Sequence, residues 1–272
     1  MKSFIVDAFT NEIFKGNPAA VCLVPQALSK AQMQAIAQEF NLSETAFVQT
    51  TEQDGVYSIR YFSPKMEIPL CGHATLASAK IIFDQTEHSE IEFITTENLK
   101  LTVKASGKQL IMEFPTYETR PMAAPPALLS ALGIEQINNS VYNQETNILL
   151  LEIGSTSELA QLQPDFNALI QAHDTINGVL VTAKDDSEAY DFHSRYFWPW
   201  SGSNEDPVTG ATHTFLCPYW AVRIPKQHFK SFQASARTGF MELELIGNQK
   251  LLLKGEAVIV LRGSLALSQQ ES

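Results

Sequence analysis

Cysteine is scarce in this chain and odd in number: Cys22, Cys71 and Cys217 are the only three in 272 residues. Their wide spacing excludes a disulfide framework and offers no C-x-x-C half-site for a metal. Clusters of basic residues are also missing. With 19 Lys and Arg against 30 Asp and Glu, the net charge of −11 has no local offset, which excludes nucleic acid and anionic membrane as partners. The adjacent acidic pairs Asp185-Asp186 and Glu205-Asp206 read as part of a generally soluble surface. No window approaches the roughly 20 apolar residues of a membrane span. Asp7 cuts the apolar start Phe4-Ile5-Val6 well short of a signal peptide. Together these absences point to a reducing compartment, the cytoplasm.

Signatures of several chemistries are absent too. His73, His193, His213 and Asp206 are separate in sequence, and no pair shows H-x-x-x-H or H-E-x-x-H spacing, so no metal is expected. Neither G-x-G-x-x-G nor G-x-x-x-x-G-K-[ST] occurs, which removes the usual phosphate cradles, and no serine sits in G-x-S-x-G. By elimination, cofactor-free proton transfer remains. The 44 % hydrophobic content is ample for a core without staples.

What is present is an internal repeat. Arg60-Tyr61-Phe62-Ser63-Pro64 recurs as Arg195-Tyr196-Phe197-Trp198-Pro199, 135 residues later. Each copy ends an alternating stretch that reads as a strand, with Val56, Ile59 and Tyr61 in one and Tyr190, Phe192 and Tyr196 in the other. Each then passes through a proline-containing loop to a glycine, Gly72 or Gly210, and on to a helical pattern. Duplication predicts two similar mixed α/β domains related by a pseudo-twofold axis, whose helix N-termini are equivalent and suited to a carboxylate or developing oxyanion.

The rest of the chain fits that plan. Ser29 caps a helix with Met33, Ile36, Ala37 and Phe40 on one face, ending near Asn41. Strands are expected at 42–50, 90–95, 99–105, 110–114, 146–152, 178–183, 241–246 and 256–262, and short helices near 126–132, 156–162 and 165–172. The proline-dense stretch 115–126 reads as a linker. The expected domains are 1–118 and 119–272, with the last strand free to return to the first domain and 269–272 as a frayed tail.

Three residues carry candidate chemistry. Glu44 opens a strand among apolar neighbours, where it is either a solvated end residue or a desolvated base with a raised pKa. A shift of 133 residues sets it against Asn177, so the second half brings no equivalent acid. His73 begins the first repeat helix, as a structural residue or a proton carrier. Asp206 precedes the second, as a turn carboxylate or a catalytic group.

At these positions the sequence resembles the PhzF-like (phenazine biosynthesis) family, part of the diaminopimelate epimerase-like superfamily. The resemblance rests on Phe9-Thr10 with Gly16-Asn17-Pro18-Ala19-Ala20-Val21, Leu42-Ser43-Glu44-Thr45-Ala46-Phe47, Cys71-Gly72-His73-Ala74-Thr75 and Glu205-Asp206-Pro207-Val208-Thr209-Gly210, in the family's order. It implies a diaminopimelate epimerase-like fold of class α/β (α+β), two domains each with a mixed sheet rolled around a central helix, an active site in the cleft between them, and a homodimer. It implies a cofactor-independent isomerase acting on a small unsaturated or cyclic carboxylate, with Glu44 as general acid/base and His73 and Asp206 as its catalytic partners. Substrate contacts would come from Asn17, Gly72, Ala74, Thr209, Gly210, Ala211 and Thr212.

Departures from the pattern are informative. The epimerase branch uses one cysteine from each half, and here only Cys71 stands in a motif, as a small residue suited to burial. Ala211 replaces the usual serine, leaving Thr212 as the nearest hydroxyl, and Pro218 is expected to break the second central helix early. A racemase or epimerase and a non-catalytic binding protein are the rival readings.

Overall fold

The computed structural model describes residues 1–201 and 203–267, so the expected tail at 269–272 lies outside the described residues. In chain order the first elements are β1 (Lys2–Ala8), β2 (Asn17–Leu23), α1 (Lys30–Phe40), β3 (Glu44–Thr50), β4 (Val56–Phe62), β5 (Glu67–Ile68), α2 (Gly72–Gln85), β6 (Glu90–Ile94), β7 (Lys100–Ser106) and β8 (Gln109–Pro115). There follow β9 (Arg120–Pro121), α3 (Pro126–Leu132), β10 (Asn139–Asn143), β11 (Ile148–Glu152), α4 (Thr156–Gln161), α5 (Phe166–Ala172), β12 (Gly178–Lys184) and β13 (Phe192–Trp198). The chain ends with β14 (Ser203–Asp206), α6 (His213–Ala221), β15 (His228–Gln233), β16 (Gly239–Ile246), β17 (Lys250–Gly255) and β18 (Ala257–Ser264). Two compact units result. Met1–Glu113 and the chain from Lys254 form unit 1, and Phe114–Leu253 forms unit 2. Among the described residues no helix is long and apolar enough to cross a membrane.

Unit 1 is a mixed sheet on a helix. Strand β1 lies antiparallel between β18 and β2, and the sheet continues through β3, β4, β6, β7 and β8, with β2–β3 and β4–β6 parallel. A parallel pair needs a crossover, which α1 provides between β2 and β3 and α2 between β4 and β6. Helix α1 starts at Ser29, whose hydroxyl accepts from the Gln32 N–H in a capping box, and stops at Asn41 in the left-handed region at φ 48°. It buries Met33, Ile36 and Ala37 against Cys22, Phe47 and Phe62 on one sheet face. The opposite face covers α2, which packs against β1, β2, β3, β7 and β18. Because strand side chains alternate, Phe47 faces α1 while Glu44, Ala46 and Val48 face α2. That parity brings Glu44 to the start of α2.

Unit 2 runs the same course. Its sheet passes from β9 through β10, β11, β12, β13 and β15 to β16, with β11–β12 and β13–β15 parallel. Helices α3, α4 and α5 cover the face carrying Leu149, Leu151, Val179, Val181 and Phe197. The other face receives α6, whose Trp220 stacks on Phe192 at 5.7 Å and donates to the Thr182 hydroxyl at 3.0 Å.

The repeated Arg-Tyr-Phe now has a physical meaning. Arg60 donates through Nε to Glu67 at 2.8 Å and lies over the Phe62 ring at 5.3 Å. Arg195 does the same in unit 2, to Glu205 at 2.7 Å and over Phe197 at 4.9 Å. Arginine and phenylalanine share one face at i and i+2, and the tyrosine between them points to the opposite face, that of α2 or α6. Each arginine clamps the short return strand, β5 or β14, that leads into the glycine loop.

Two expectations need correction. Gly210 does not open the second helix; residues 210–212 form turns, and α6 starts at His213. The amides of His213 and Thr214 bond back to the Gly210 and Ala211 carbonyls at 3.1 and 3.2 Å, so this end is not equivalent to that of α2, which starts directly at Gly72. Nor does Pro218 break α6, which runs on to Ala221. Proline cannot donate to the carbonyl four residues back; that carbonyl, on Thr214, accepts instead from the Tyr117 N–H at 2.9 Å.

His213 is fully buried, and its Nδ1 lies 3.0 Å from the Thr209 carbonyl. Burial pushes the imidazole down to about 4. The unfolded chain binds that proton near 6.5 while the folded chain refuses it, so stability is lost as pH falls from about 6.5 towards 4. The expected loss reaches roughly 3 kcal/mol at the acid end. Urea midpoints at pH 7 and pH 4.5 should show it, and His213→Phe should reduce the difference.

Candidate active site

In unit 1 the start of α2 meets the start of β3. Glu44 is the first residue of β3, paired with Ala19 of β2, and its side chain is 12 % exposed. Burial raises its carboxyl above the usual 4.5, with a smaller opposing effect from a Ser43 hydrogen bond. His73 Nε2 lies 3.2 Å from Glu44 Oε2. Nδ1 of the same ring is 3.3 Å from Cys71 Sγ. The thiol lies beside the ring, 4.0 Å from Nε2 as well, so carboxylate, imidazole and thiol form a compact triangle with donor atoms within 4.8 Å of one another. Gly72 separates Cys71 from His73, Ala74 is buried behind them, and Asn17 is buried at the first residue of β2.

A hydrogen-bonded chain fixes this helix start. Thr75 donates its hydroxyl to the Cys71 carbonyl at 2.7 Å, so the 2.5 Å contact with Tyr61 is one in which the phenol donates to Thr75. Tyr61 is buried, which raises its pKa and keeps it the donor. The N-cap residue Cys71 makes no side-chain cap bond, so its sulfur stays turned to His73.

In unit 2, Asp206 ends β14 and accepts the Thr209 hydroxyl on Oδ2. Gln233, fully buried at the end of β15, donates to the Asp206 carbonyl at 2.7 Å and accepts the Thr209 N–H at 2.8 Å. Ser235 donates to the Pro207 carbonyl at 2.5 Å. The Asp206–Thr209 turn is therefore held from three sides. Thr212 is buried and gives its hydroxyl to the Thr209 carbonyl at 3.0 Å, so that group closes the turn; Gly210 is buried and Ala211 exposed. Glu44 and His73 are in contact within unit 1, and Asp206, Thr209, Gly210, Ala211 and Thr212 form a cluster within unit 2.

Strand register corrects the expected match of Glu44 with Asn177. Ala46 pairs with Tyr61 in unit 1, and Leu180 pairs with Tyr196 in unit 2. Counting two residues back from each gives Glu44 and Gly178. A Cβ on Gly178 would lie 2.5 Å from the Tyr196 ring and 2.6 Å from its hydroxyl, so tyrosine occupies the space of a second acid. Gly178→Ala is expected to cost about 1–3 kcal/mol through overpacking, readable as a lowered urea midpoint.

Cys71, Gln233 and the two arginine clamps were not among the candidates read from the sequence. The repeated Arg-Tyr-Phe was the available signal for the clamps; Gln233 offered none, because both its partners are turn backbone 24 or more residues away. A cavity of about 770 Å³ in unit 2, bordered by Tyr117, Pro218, Tyr219, Arg223 and Asn248, contains none of the candidate residues. Its Arg223 is already engaged with Glu152 at 3.1 Å.

Comparison with known proteins gives concordant results. The profile of a family described as phenazine biosynthesis-like protein matches residues 6–263. An uncharacterized isomerase of Halalkalibacterium halodurans is 43 % identical over 97 % of this chain and 98 % of its own. The crystal structure of a phenazine biosynthesis protein of the PhzF family from Enterococcus faecalis superimposes with a TM-score of 0.89 at 37 % identity, covering 98 % of this chain and 99 % of that one. A probable proline racemase from Agrobacterium radiobacter shares the fold alone, with a TM-score of 0.58 and 10 % identity over 99 % and 94 % of the two chains.

Proposed function

This chain belongs to the phenazine biosynthesis-like family and is an isomerase, and from that premise we propose that it moves a proton within a small unsaturated or cyclic carboxylate, without a cofactor, using Glu44 as its single general acid/base. The observation carrying this reading is the buried carboxyl of Glu44, raised by burial and 3.2 Å from His73 Nε2. A base must hold a carbon-derived proton long enough to return it, and a desolvated carboxylate with a raised pKa is suited to that. His73 relays the proton or steadies it on Oε2, and Asp206, fixed by Thr209, positions the substrate.

One base also accounts for the asymmetry of the repeat. Racemisation at one carbon needs acceptors on opposite faces, whereas a proton shift to a different carbon needs one group that takes and gives back. The position equivalent to Glu44 is Gly178, which favours the shift. Assembly as a homodimer belongs to the same proposal.

The test is turnover of candidate carboxylates that carry deuterium at the C–H bond to be broken. Wild type is expected to deliver part of that deuterium to the new C–H position, the remainder exchanging with water on Glu44, and Glu44→Gln to deliver none. Equal turnover by the two proteins overturns the assignment.

A further inference from the structure

Glu44, His73 and Cys71 also make a donor set of another kind. A carboxylate oxygen, an imidazole nitrogen and a thiol sulfur all lie within 4.8 Å of one another. Glu44 Oε2 is 3.2 Å and Cys71 Sγ is 4.0 Å from His73 Nε2. We propose that this triangle captures a thiophilic divalent cation of the zinc class, and that the bound cation switches the enzyme off by occupying the lone pair with which Glu44 takes its proton. The capture site stands on geometry alone; only the loss of activity rests on Glu44 being the base.

The distances suit such an ion. Tetrahedral zinc holds sulfur at about 2.3 Å and nitrogen or oxygen at about 2.0–2.1 Å, which sets the donors roughly 3.3–3.6 Å apart. Cys71 Sγ lies 3.3 Å from Nδ1 and 4.0 Å from Nε2, so a turn of the thiol towards the Nε2 side completes the arrangement, and the fourth position is left for water. Their supports are rigid, since Glu44 opens a strand inside the sheet and the Cys71 carbonyl is tied to Thr75.

Charge and ligand type decide between cations. Thiolate and carboxylate together carry about two negative charges, against the roughly half positive charge of a helix N-terminus, so a dication is attracted on balance. Sulfur and nitrogen donors select zinc-class ions over magnesium and calcium, which take oxygen ligands. Binding forms a metal–thiolate bond and sends any Sγ proton to solvent. No electron is transferred.

Cobalt(II) is a suitable probe because its bond to thiolate absorbs in the near ultraviolet. Full-length protein stripped with a chelator and titrated with Co²⁺, with no substrate present, is expected to bind one ion, show the thiolate-to-cobalt band and lose it on addition of Zn²⁺. Cys71→Ser should abolish the band, while Cys22 and Cys217 remain as buried internal controls. Glu44→Gln should keep the band but weaken Co²⁺ binding by about tenfold or more. Circular dichroism checks each fold, and His73→Gln supplies the second comparison if Cys71→Ser does not fold. Absence of the band in folded wild type, or its survival in Cys71→Ser, overturns the proposal. If the band is absent and Glu44→Gln still abolishes deuterium delivery, the capture site falls and the base stands.

Discussion

Glutamine at position 44 is expected to cost about 10²–10⁴ in turnover, the usual worth of a positioned general base, while leaving the protein as stable as before or more so. The two halves of that expectation have one cause. Burial lifts the Glu44 carboxyl above its usual 4.5, so the folded chain holds this proton more tightly than the unfolded chain. Between the unfolded and folded pKa values stability therefore falls as pH rises, and above the folded value the whole penalty for a buried carboxylate is present. Glutamine removes the penalty. Thermal unfolding should show Glu44→Gln equal to wild type near pH 4 and level with or above it at pH 7, with turnover lost throughout. A variant that lost turnover and melted earlier at pH 7 would point to a structural role instead.

Arg195→Met is expected to have the largest effect on stability, about 3–5 kcal/mol. Arg195 is 8 % exposed and donates from Nε and Nη2 to the two oxygens of Glu205 at 2.7 and 2.9 Å. Its Nη1 also reaches the Leu159 and Leu162 carbonyls at 3.2 and 2.7 Å. Methionine fills most of the volume and leaves one partly buried carboxylate and two carbonyls without this partner. Unfolding should occur roughly 6–20 °C lower, taking 2–4 °C per kcal/mol for a chain of this size. Arg60→Met should cost clearly less: Arg60 is 27 % exposed at its side chain, and Glu67 keeps Lys30 at 2.9 Å. A double-mutant cycle with Glu205→Gln measures the coupling, and a loss under about 1 kcal/mol for Arg195→Met would reduce the clamp to a surface ion pair.

The sequence made some of this legible and hid the rest for physical reasons. Ser29 and Asn41 bound α1 because caps are local chemistry, and the alternation shows because one face carries polar residues, Ser58 and Arg60 in β4 and His193 and Arg195 in β13. Strand β2 escapes notice: five of its seven residues are buried, on both faces, which erases the alternation, and Pro18 argues against a strand. Glu44 stood out through its apolar neighbours. Cys71 did not, because a thiol two residues from a histidine fits no helical spacing, and only the passage from extended backbone at Cys71 into the helix at Gly72 brings both side chains together. Asn177 was matched to Glu44 one residue out of step, since a linear shift cannot see which residues face each other across strands. A donor set assembled from a strand end and a helix start leaves no metal-binding spacing in the sequence.

The bond from Tyr117 to the Thr214 carbonyl bears on how unit 2 comes apart. Most helices close their hydrogen-bond ladders with neighbours four residues away, but α6 borrows one rung from a residue 97 positions earlier. Its middle turn is complete only after a long loop has closed, an event whose entropic cost is met late in assembly. The amides of α6 and of the segment after β8 are therefore expected to exchange with deuterium as one unit although they are remote along the chain.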